Sequence, residues 1–338
     1  MMLIDAKKCI TLAREAGYLK AGFCLPAVPA GDAAQYRSFI NFGRHGTMHW
    51  LADQDLRLDP ARLLPGVKSI MVLSSWYRDY SSEAALQDAS YRVARYAHGR
   101  DYHKVLRRKG ARLLKQFQQI WPQLAGRVTC DSAPLLEKVY ARQAGLGWRG
   151  KHTNLIDQEH GSWFFLSMIL LNQPVDSLPP HSDPAIVVQQ TDHCRDCRLC
   201  IEACPTGALQ EYQIDARRCL AYRTIEAPFD AVQGQYQDSV VPNGTDWIFG
   251  CDICQEVCPW NRNRRSRTRI TTDDAFRMRL EIKDLMQGQI STGQDDSDVS
   301  SRRADWDAIT GGSALKRAGT ARLQFEMQAI EKRRNNNA

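Results

Sequence analysis

The sequence predicts a chain of the α+β or α/β class. It reads as a mixed-sheet domain, an iron–sulfur module for two clusters, and a short helical C-terminal tail. Three observations predict this. Helical and strand patterns alternate up to about residue 172, as expected for helices layered on a sheet. Two sets of closely spaced cysteines follow, between Cys194 and Cys258. The Pro-rich stretch 174–184 separates the two regions. The expected divisions are 1–185, 186–262 and 263–338.

The elements follow in order. Apolar residues at helical spacing mark 5–17 as an amphipathic helix, with Tyr18 to Leu25 the strand leaving it. A second helix runs through about Ala33 to Phe42. Pro65-Gly66 introduces an apolar strand, Val67 to Trp76. Residues 79–90 are polar and Ser-rich and read as a loop. Tyr91 to Ala97 reads as a strand, and Gly99 to His103 as its exit. A basic helix, Lys104 to Ile120, precedes a short strand, Arg127 to Asp131. Pro134 opens a helix in its first turn, and that helix ends near Gly145. Two more strands fall at Thr153–Ile156 and Trp163–Leu171. Residues 286–304 read as a loose polar loop, and a last helix covers about Ala314 to Arg333.

The cysteines carry the strongest chemistry. Cys194, Cys197, Cys200 and Cys204-Pro205 spell C-x2-C-x2-C-x3-C-P, the bacterial ferredoxin run. In that run three thiolates hold one [4Fe–4S] cluster, and the Cys before Pro reaches a second. A partner set is therefore required, and Cys219, Cys251, Cys254 and Cys258-Pro259 supply it. By reciprocity, Cys194, Cys197, Cys200 and Cys258 hold cluster one. Cys204, Cys219, Cys251 and Cys254 hold cluster two. Zinc is the rival for C-x2-C pairs. It leaves the C-x3-C-P steps and the eighth cysteine unexplained.

The remaining composition excludes little. Apolar content of 43% and charged content of 25% are ordinary for a soluble chain. The longest apolar run, Trp163 to Leu171, is too short to span a bilayer. The N-terminal residues show no export signal, so a cytoplasmic protein with no membrane partner is expected. There, eleven cysteines point to metal or redox work rather than disulfides. Cys9, Cys24 and Cys130 lie outside the cluster sets and read as core residues. A net charge of +7 permits a nucleic-acid partner without requiring one.

Other candidates have two readings each. Gly145-Leu-Gly147-Trp-Arg-Gly150 matches G-x-G-x-x-G, but a helix precedes it and a basic loop follows. Dinucleotide binding needs a strand before and a helix after, so a tight glycine turn is the better reading. Asp131 stands at a strand end before a helix, as an N-cap or as an acid at the ligand edge of the sheet. Asp101-Tyr-His103 begins a D-x-H-x-x-G element, but Leu106 stands where Gly should be. His103 is therefore read as facing solvent or a local carboxylate, not as a cobalt ligand. Arg149, Lys151 and His152 read as a cluster for a phosphate or propionamide-bearing ligand, or as a solvated basic loop. The run Arg262, Arg264, Arg265, Arg267 and Arg269 offers contacts for nucleic-acid phosphate.

In combination the chain resembles the epoxyqueuosine reductase (QueG) family. The matching stretches are Arg57-x-x-Pro60, Gly99 to His103, Asp131-Ser-Ala-Pro134, Ala144 to Ile156, Gly161-Ser-Trp163, and the cysteines with Gly250-Cys251-Asp252. The resemblance implies a cobalamin cofactor, as base-off cob(II)alamin, beside the two [4Fe–4S] clusters. It implies reduction of the epoxide of epoxyqueuosine, at the anticodon wobble position of tRNA, to queuosine and water. It implies Asp131 as proton donor, kept protonated by burial against the corrin. It places Arg57, Ala94, Asp131, Leu155, Leu166, Ala221, Cys251 and Asp252 around cobalamin. An external electron donor is implied, and a monomer is expected. Some family members end in a helical-repeat domain, whereas this chain ends after one helix.

Two other readings compete. A reductive dehalogenase-like enzyme with the same cofactors would act on a small molecule and need no tRNA. An electron carrier would hold clusters but no corrinoid.

Overall fold

The computed structural model describes residues 2–179, 193–230, 245–263, 269–289 and 306–337. Its strands are β1 (Lys20–Cys24), β2 (Ser69–Trp76), β3 (Arg92–Val93), β4 (Gly126–Thr129), β5 (Trp148–Arg149), β6 (Leu155–Ile156), β7 (Phe164–Leu171), β8 (Leu209–Gln210), β9 (Gln213–Ile214) and β10 (Trp247–Phe249). The main sheet has the order β1-β2-β7-β4, and each of its pairings is antiparallel. β2 and β7 are its centre. Ser-Ile-Met-Val-Leu-Ser-Ser-Trp is buried along its whole length, as a central strand covered on both faces should be. The parallel pairing is β3 with β10, which joins the first region to the cysteine module.

The helix Tyr102–Ile120 packs on this sheet. Its buried positions Leu106, Gly110, Leu113, Leu114 and Phe117 recur at helical spacing on one face. Gly110 allows the close approach, because a Cβ there would sit 2.6 Å from Val128 Cγ1. Asp101 caps the helix, its carboxylate accepting from His103 N at 3.1 Å. Cys9, Cys24 and Cys130 are buried in the same core.

Three elements differ from the sequence reading. Tyr91 to Ala97, expected as one strand, is a two-residue strand, Arg92–Val93, followed by a 3-10 turn at Arg95–Ala97. The polar stretch 79–90 contains a helix, Tyr80–Gln87, rather than a loop. Ala85 and Leu86 bury against the rest of the protein, which outweighs the poor local pattern. The helix expected to open at Pro134 starts at Glu137 instead, with residues 131–135 a run of bends.

A second core lies apart from the sheet. It joins Tyr91, Val93 and Ala97 to Ile248 and Phe249, to the helix Leu280–Met286, and to the helix Thr320–Asn337. The C-terminal helix therefore closes over the β3–β10 pair. The loop read at 286–304 falls mainly outside the described residues. Among those described, no helix is long and apolar enough to cross a membrane.

Candidate functional site

The two cysteine turns are built alike. A four-residue helix, Leu199–Glu202 or Ile253–Glu256, carries the chain from each C-x2-C step to its Cys-Pro. Cys200 feels the charges of Cys258, Cys194 and Cys197, and these four thiols line a cavity of about 240 Å³. Cys251 feels Cys219 and Cys204, and Cys254 feels Cys251 and Cys219. Cys254 also feels Cys200, so the two quartets are neighbours. The space that the first quartet lines suits a polynuclear cluster. Burial raises the Cys200 thiol to about 11, and raises Cys258 and Cys219 despite backbone N–H donors to each. Ionised thiolates here therefore need the charge of bound iron.

Asp131 is not an N-cap. The following helix is preceded by Leu136, with no side-chain cap. Asp131 has a φ of +56°, a left-handed conformation that Asp tolerates better than most residues. Its N–H donates to Glu137 Oε1 at 2.7 Å. Its Oδ2 accepts from the Tyr102 hydroxyl at 2.7 Å and lies 2.8 Å from His103 Nε2. His103 Nδ1 lies 2.8 Å from Asp101 Oδ1. His103 therefore faces two carboxylates, one of the alternatives its sequence position allowed.

The protonation state expected for Asp131 is reversed in the protein alone. Burial raises its pKa, but bonds from His103 and Tyr102 and the charges of His103 and Lys138 outweigh it. The net shift is downward, so Asp131 is held as a carboxylate. Glu137 goes the other way: burial and the Asp131 charge push it up to about 8. Burial brings Lys138 down to about 8.

Asp131 and Cys254 are both near Lys138, which feels the charge of each. Solvent reaches all three, and the Asp131 side chain is 58% exposed. A row of aromatic rings adjoins the carboxylate. Tyr102 stacks on Phe165 at 4.3 Å and meets Tyr96 at 6.0 Å, and Tyr96 meets Phe249 at 6.0 Å. Phe249 leads directly into Gly250-Cys251. A flat, largely apolar cofactor with a polar rim fits beside such rings.

The other expected contacts have these places in the fold. Ala94 is buried at the β3 edge, its N–H donating to Phe249 O at 2.8 Å. Gly250, at φ +70°, faces it so closely that a Cβ would sit 2.5 Å from Ala94 Cβ. Leu166 is half-buried on β7, and its carbonyl accepts from Cys130 Sγ at 3.4 Å. Ala221 is half-buried in the helix Leu220–Ile225 that follows Cys219. Leu155 is buried in β6. Arg57 is buried, with Nε donating to Trp50 O at 3.2 Å. Asp252 is fully enclosed and its Oδ2 is taken up by Arg95.

Arg149, Lys151 and His152 do not form a solvated loop. Arg149 donates to Tyr212 O at 2.8 Å, and Lys151 to Arg195 O at 2.6 Å and Glu211 Oε1 at 3.0 Å. His152 is buried beside the first quartet. The stretch braces the cysteine module. The glycines before it serve packing: Gly147 lies so near Ile156 O that a Cβ would be 2.1 Å away. Arg262 donates to Glu256 O at 2.8 Å, while Arg264 and Arg265 fall outside the described residues. Sequence reasoning missed Tyr102, Glu137, Lys138 and Arg95. Their roles depend on the turn at Asp131 and on the β3–β10 pairing, neither of which leaves a local pattern.

The fold and its cysteine turns define an iron–sulfur protein with an electron-transfer module set against an α/β domain. Residues 193–261 match a family profile described as a 4Fe-4S double cluster binding domain. Residues 57–132 match one described as epoxyqueuosine reductase QueG, DUF1730. An epoxyqueuosine reductase from Xanthomonas campestris pv. campestris is 39% identical over 330 residues, 94% of this chain and 83% of that protein. The chain belongs to the epoxyqueuosine reductase family. An epoxyqueuosine reductase from Bacillus subtilis, with its catalytic aspartate loop swung out of the active site, shares the fold at a TM-score of 0.73 and 20% identity. That match covers 96% of this chain and 80% of the other. Another family structure, holding an epoxyqueuosine-modified tRNA-Tyr stem loop, matches at 0.70 and 21%, with the same coverage.

Proposed function

We propose that this chain reduces the epoxide of epoxyqueuosine, at the wobble position of a tRNA anticodon, to queuosine and water. The observation that carries this reading is that Lys138 lies within the fields of both Asp131 and Cys254, which sets the carboxylate close to the second cysteine quartet. Family membership says which reaction such a site serves.

In this reading Cys194, Cys197, Cys200 and Cys258 hold one [4Fe–4S] cluster. Cys204, Cys219, Cys251 and Cys254 hold the other. The residues that would hold cobalamin are Arg57, Ala94, Leu155, Leu166, Ala221, Cys251 and Asp252, together with the rings of Tyr96, Tyr102 and Phe165. When bound, cobalamin supplies the low-potential chemistry that opens the carbon–oxygen bond. The protein positions the epoxide and protonates its oxygen. Asp131 is the group placed to do so, its Oδ2 fixed by Tyr102 and His103. An external donor reduces the clusters, and the chain works as a cytoplasmic monomer.

The test is complementation. A bacterium that lacks its own epoxyqueuosine reductase accumulates epoxyqueuosine in tRNA. Expression of this chain should restore queuosine in the digested nucleosides. Persistent epoxyqueuosine, with the protein present and iron-loaded, would overturn the reading.

A further inference from the structure

Releasing an epoxide oxygen as water breaks two C–O bonds and forms one C=C bond. It consumes two electrons, which enter through the clusters, and two protons, which must reach one oxygen. Asp131 as a carboxylate holds neither proton. The structure places a better store beside it.

His103 is flanked on both ring nitrogens. Nδ1 lies 2.8 Å from Asp101 Oδ1, and Nε2 lies 2.8 Å from Asp131 Oδ2. Two ionised carboxylates can only accept, so both nitrogens must carry hydrogen, which is the imidazolium. The Tyr102 ring stacks on the imidazole at 4.0 Å and fixes its plane. Asp101 also accepts from His103 N, so the carboxylate that orients the ring is anchored at the helix start.

We propose that His103 stores the proton that Asp131 passes to the epoxide oxygen, with Asp101 holding the ring in place. The inference rests on the reading that Asp131 faces the epoxide. His103 is thus a positioning residue that acts through Asp131. Nε2–H gives its proton to Asp131 Oδ2 as Asp131 protonates the opening oxygen. The ring is left neutral, with its hydrogen on Nδ1 toward Asp101. Its side chain is 26% exposed, so water can recharge it for the second proton.

The surrounding charges agree. Burial alone would lower His103, but its bonds to Asp131 and Asp101 raise it above its ordinary value. Tyr102 is driven far up by burial and the Asp131 charge, so it remains a fixed donor. Glu137 and Lys138 act on the pair through charge. Glu137 accepts from Asp131 N, while Lys138 Nζ is turned to Thr153 O and Asn154 Oδ1 at 3.1 and 2.9 Å. On its own helix, Arg107 Nε donates to the His103 carbonyl at 3.1 Å.

The test uses reduced, cobalamin-loaded holoenzyme and an epoxyqueuosine-modified anticodon stem loop. His103→Gln should lower kcat by about 10²-fold, the low end for a proton-transfer group, with KM little changed. The alkaline limb of the kcat profile should disappear, and added imidazole should restore part of the rate. Asp101→Asn, which keeps the ring, should move that limb to lower pH. Ring titration by NMR of ¹⁵N-histidine-labelled protein should place His103 above about 6.5, falling in Asp131→Asn. Wild-type kcat and pH profile in His103→Gln, or a ring titrating below that value, would overturn the proposal. A wild-type enzyme that converts no stem loop would refute the functional reading instead, and the NMR titration would still decide the state of His103.

Discussion

Arg95 donates twice to Asp252 Oδ2, from its backbone N–H at 2.8 Å and from its guanidinium at 3.2 Å. The same guanidinium bonds Glu256 at 2.7 Å and Glu83 at 2.6 Å, and lies 4.9 Å over the Trp163 ring. Asp252 follows Cys251, and Glu256 lies between Cys254 and Cys258. One buried cation therefore ties the cysteine turn to the sheet domain. Asn261 adds a second tie, its Oδ1 accepting from Ser162 N at 2.7 Å.

Removing that cation leaves the buried Asp252 carboxylate with only the residue-95 N–H and the Gln255 amide, and takes one of two cationic partners from Glu83 and from Glu256. Breaking a buried network in this way costs about 3–5 kcal/mol. Arg95→Met should lower the stability of the cluster-loaded protein by that order in denaturant unfolding, and should speed cluster loss. An unchanged midpoint would show that Asp252 and Glu256 find other partners.

Glu137 gives the protein a pH dependence of known sign. Its folded pKa is pushed up to about 8, first by burial and then by Asp131. The unfolded value is about 4.3. A raised carboxyl contributes stability that is full below about 4.3 and is lost as pH rises toward 8. Glu137→Gln keeps an oxygen for Asp131 N but cannot ionise. Unfolding free energies measured between those limits should fall with pH in the wild type and fall less steeply in the variant. Parallel curves would mean Glu137 titrates normally.

Cys251→Ala should cost the second cluster and leave the first. Iron analysis should show about half the wild-type content, by the ligand logic of two-cluster modules. The charge-transfer absorption should fall in proportion while circular dichroism is retained. Full iron content would refute the assignment of Cys251.

Neutralising Arg262, Arg264 and Arg265 together should flatten the salt dependence of tRNA binding. Each lost phosphate contact on a single strand reduces the log–log slope by about 0.7. An unchanged slope would mean these arginines meet solvent or protein. Arg262 already has one protein partner, Glu256 O.

Much of this was legible in the residues. The cysteine spacing implied two quartets before any coordinates, because thiolate geometry fixes its own spacing. β2 and β7 were legible because buried central strands read as continuous apolar runs. Other features carry no local signal. The Tyr80–Gln87 helix is polar in sequence and forms because Ala85 and Leu86 find a surface to bury against. For Asp131 the strand–Asp–Ser–Ala–Pro pattern left a cap and an acid at the sheet edge equally open. Its left-handed φ turns the carboxylate away from the helix and toward His103. Arg95 sits in an apolar stretch, and its three acidic partners come from positions 83, 252 and 256. Lys138 belongs to the site only because the fold brings it near both Asp131 and Cys254.

The most direct measurement is an anaerobic reduction assay on tRNA that contains epoxyqueuosine. The iron-loaded protein is compared with and without added cobalamin, and beside Asp131→Asn. Conversion to queuosine is expected only when cobalamin is present, with a loss of about 10² to 10⁴-fold in Asp131→Asn, the range for a positioned acid. Full conversion without cobalamin, or unchanged turnover in Asp131→Asn, would contradict a cobalamin-dependent reduction with Asp131 as its acid.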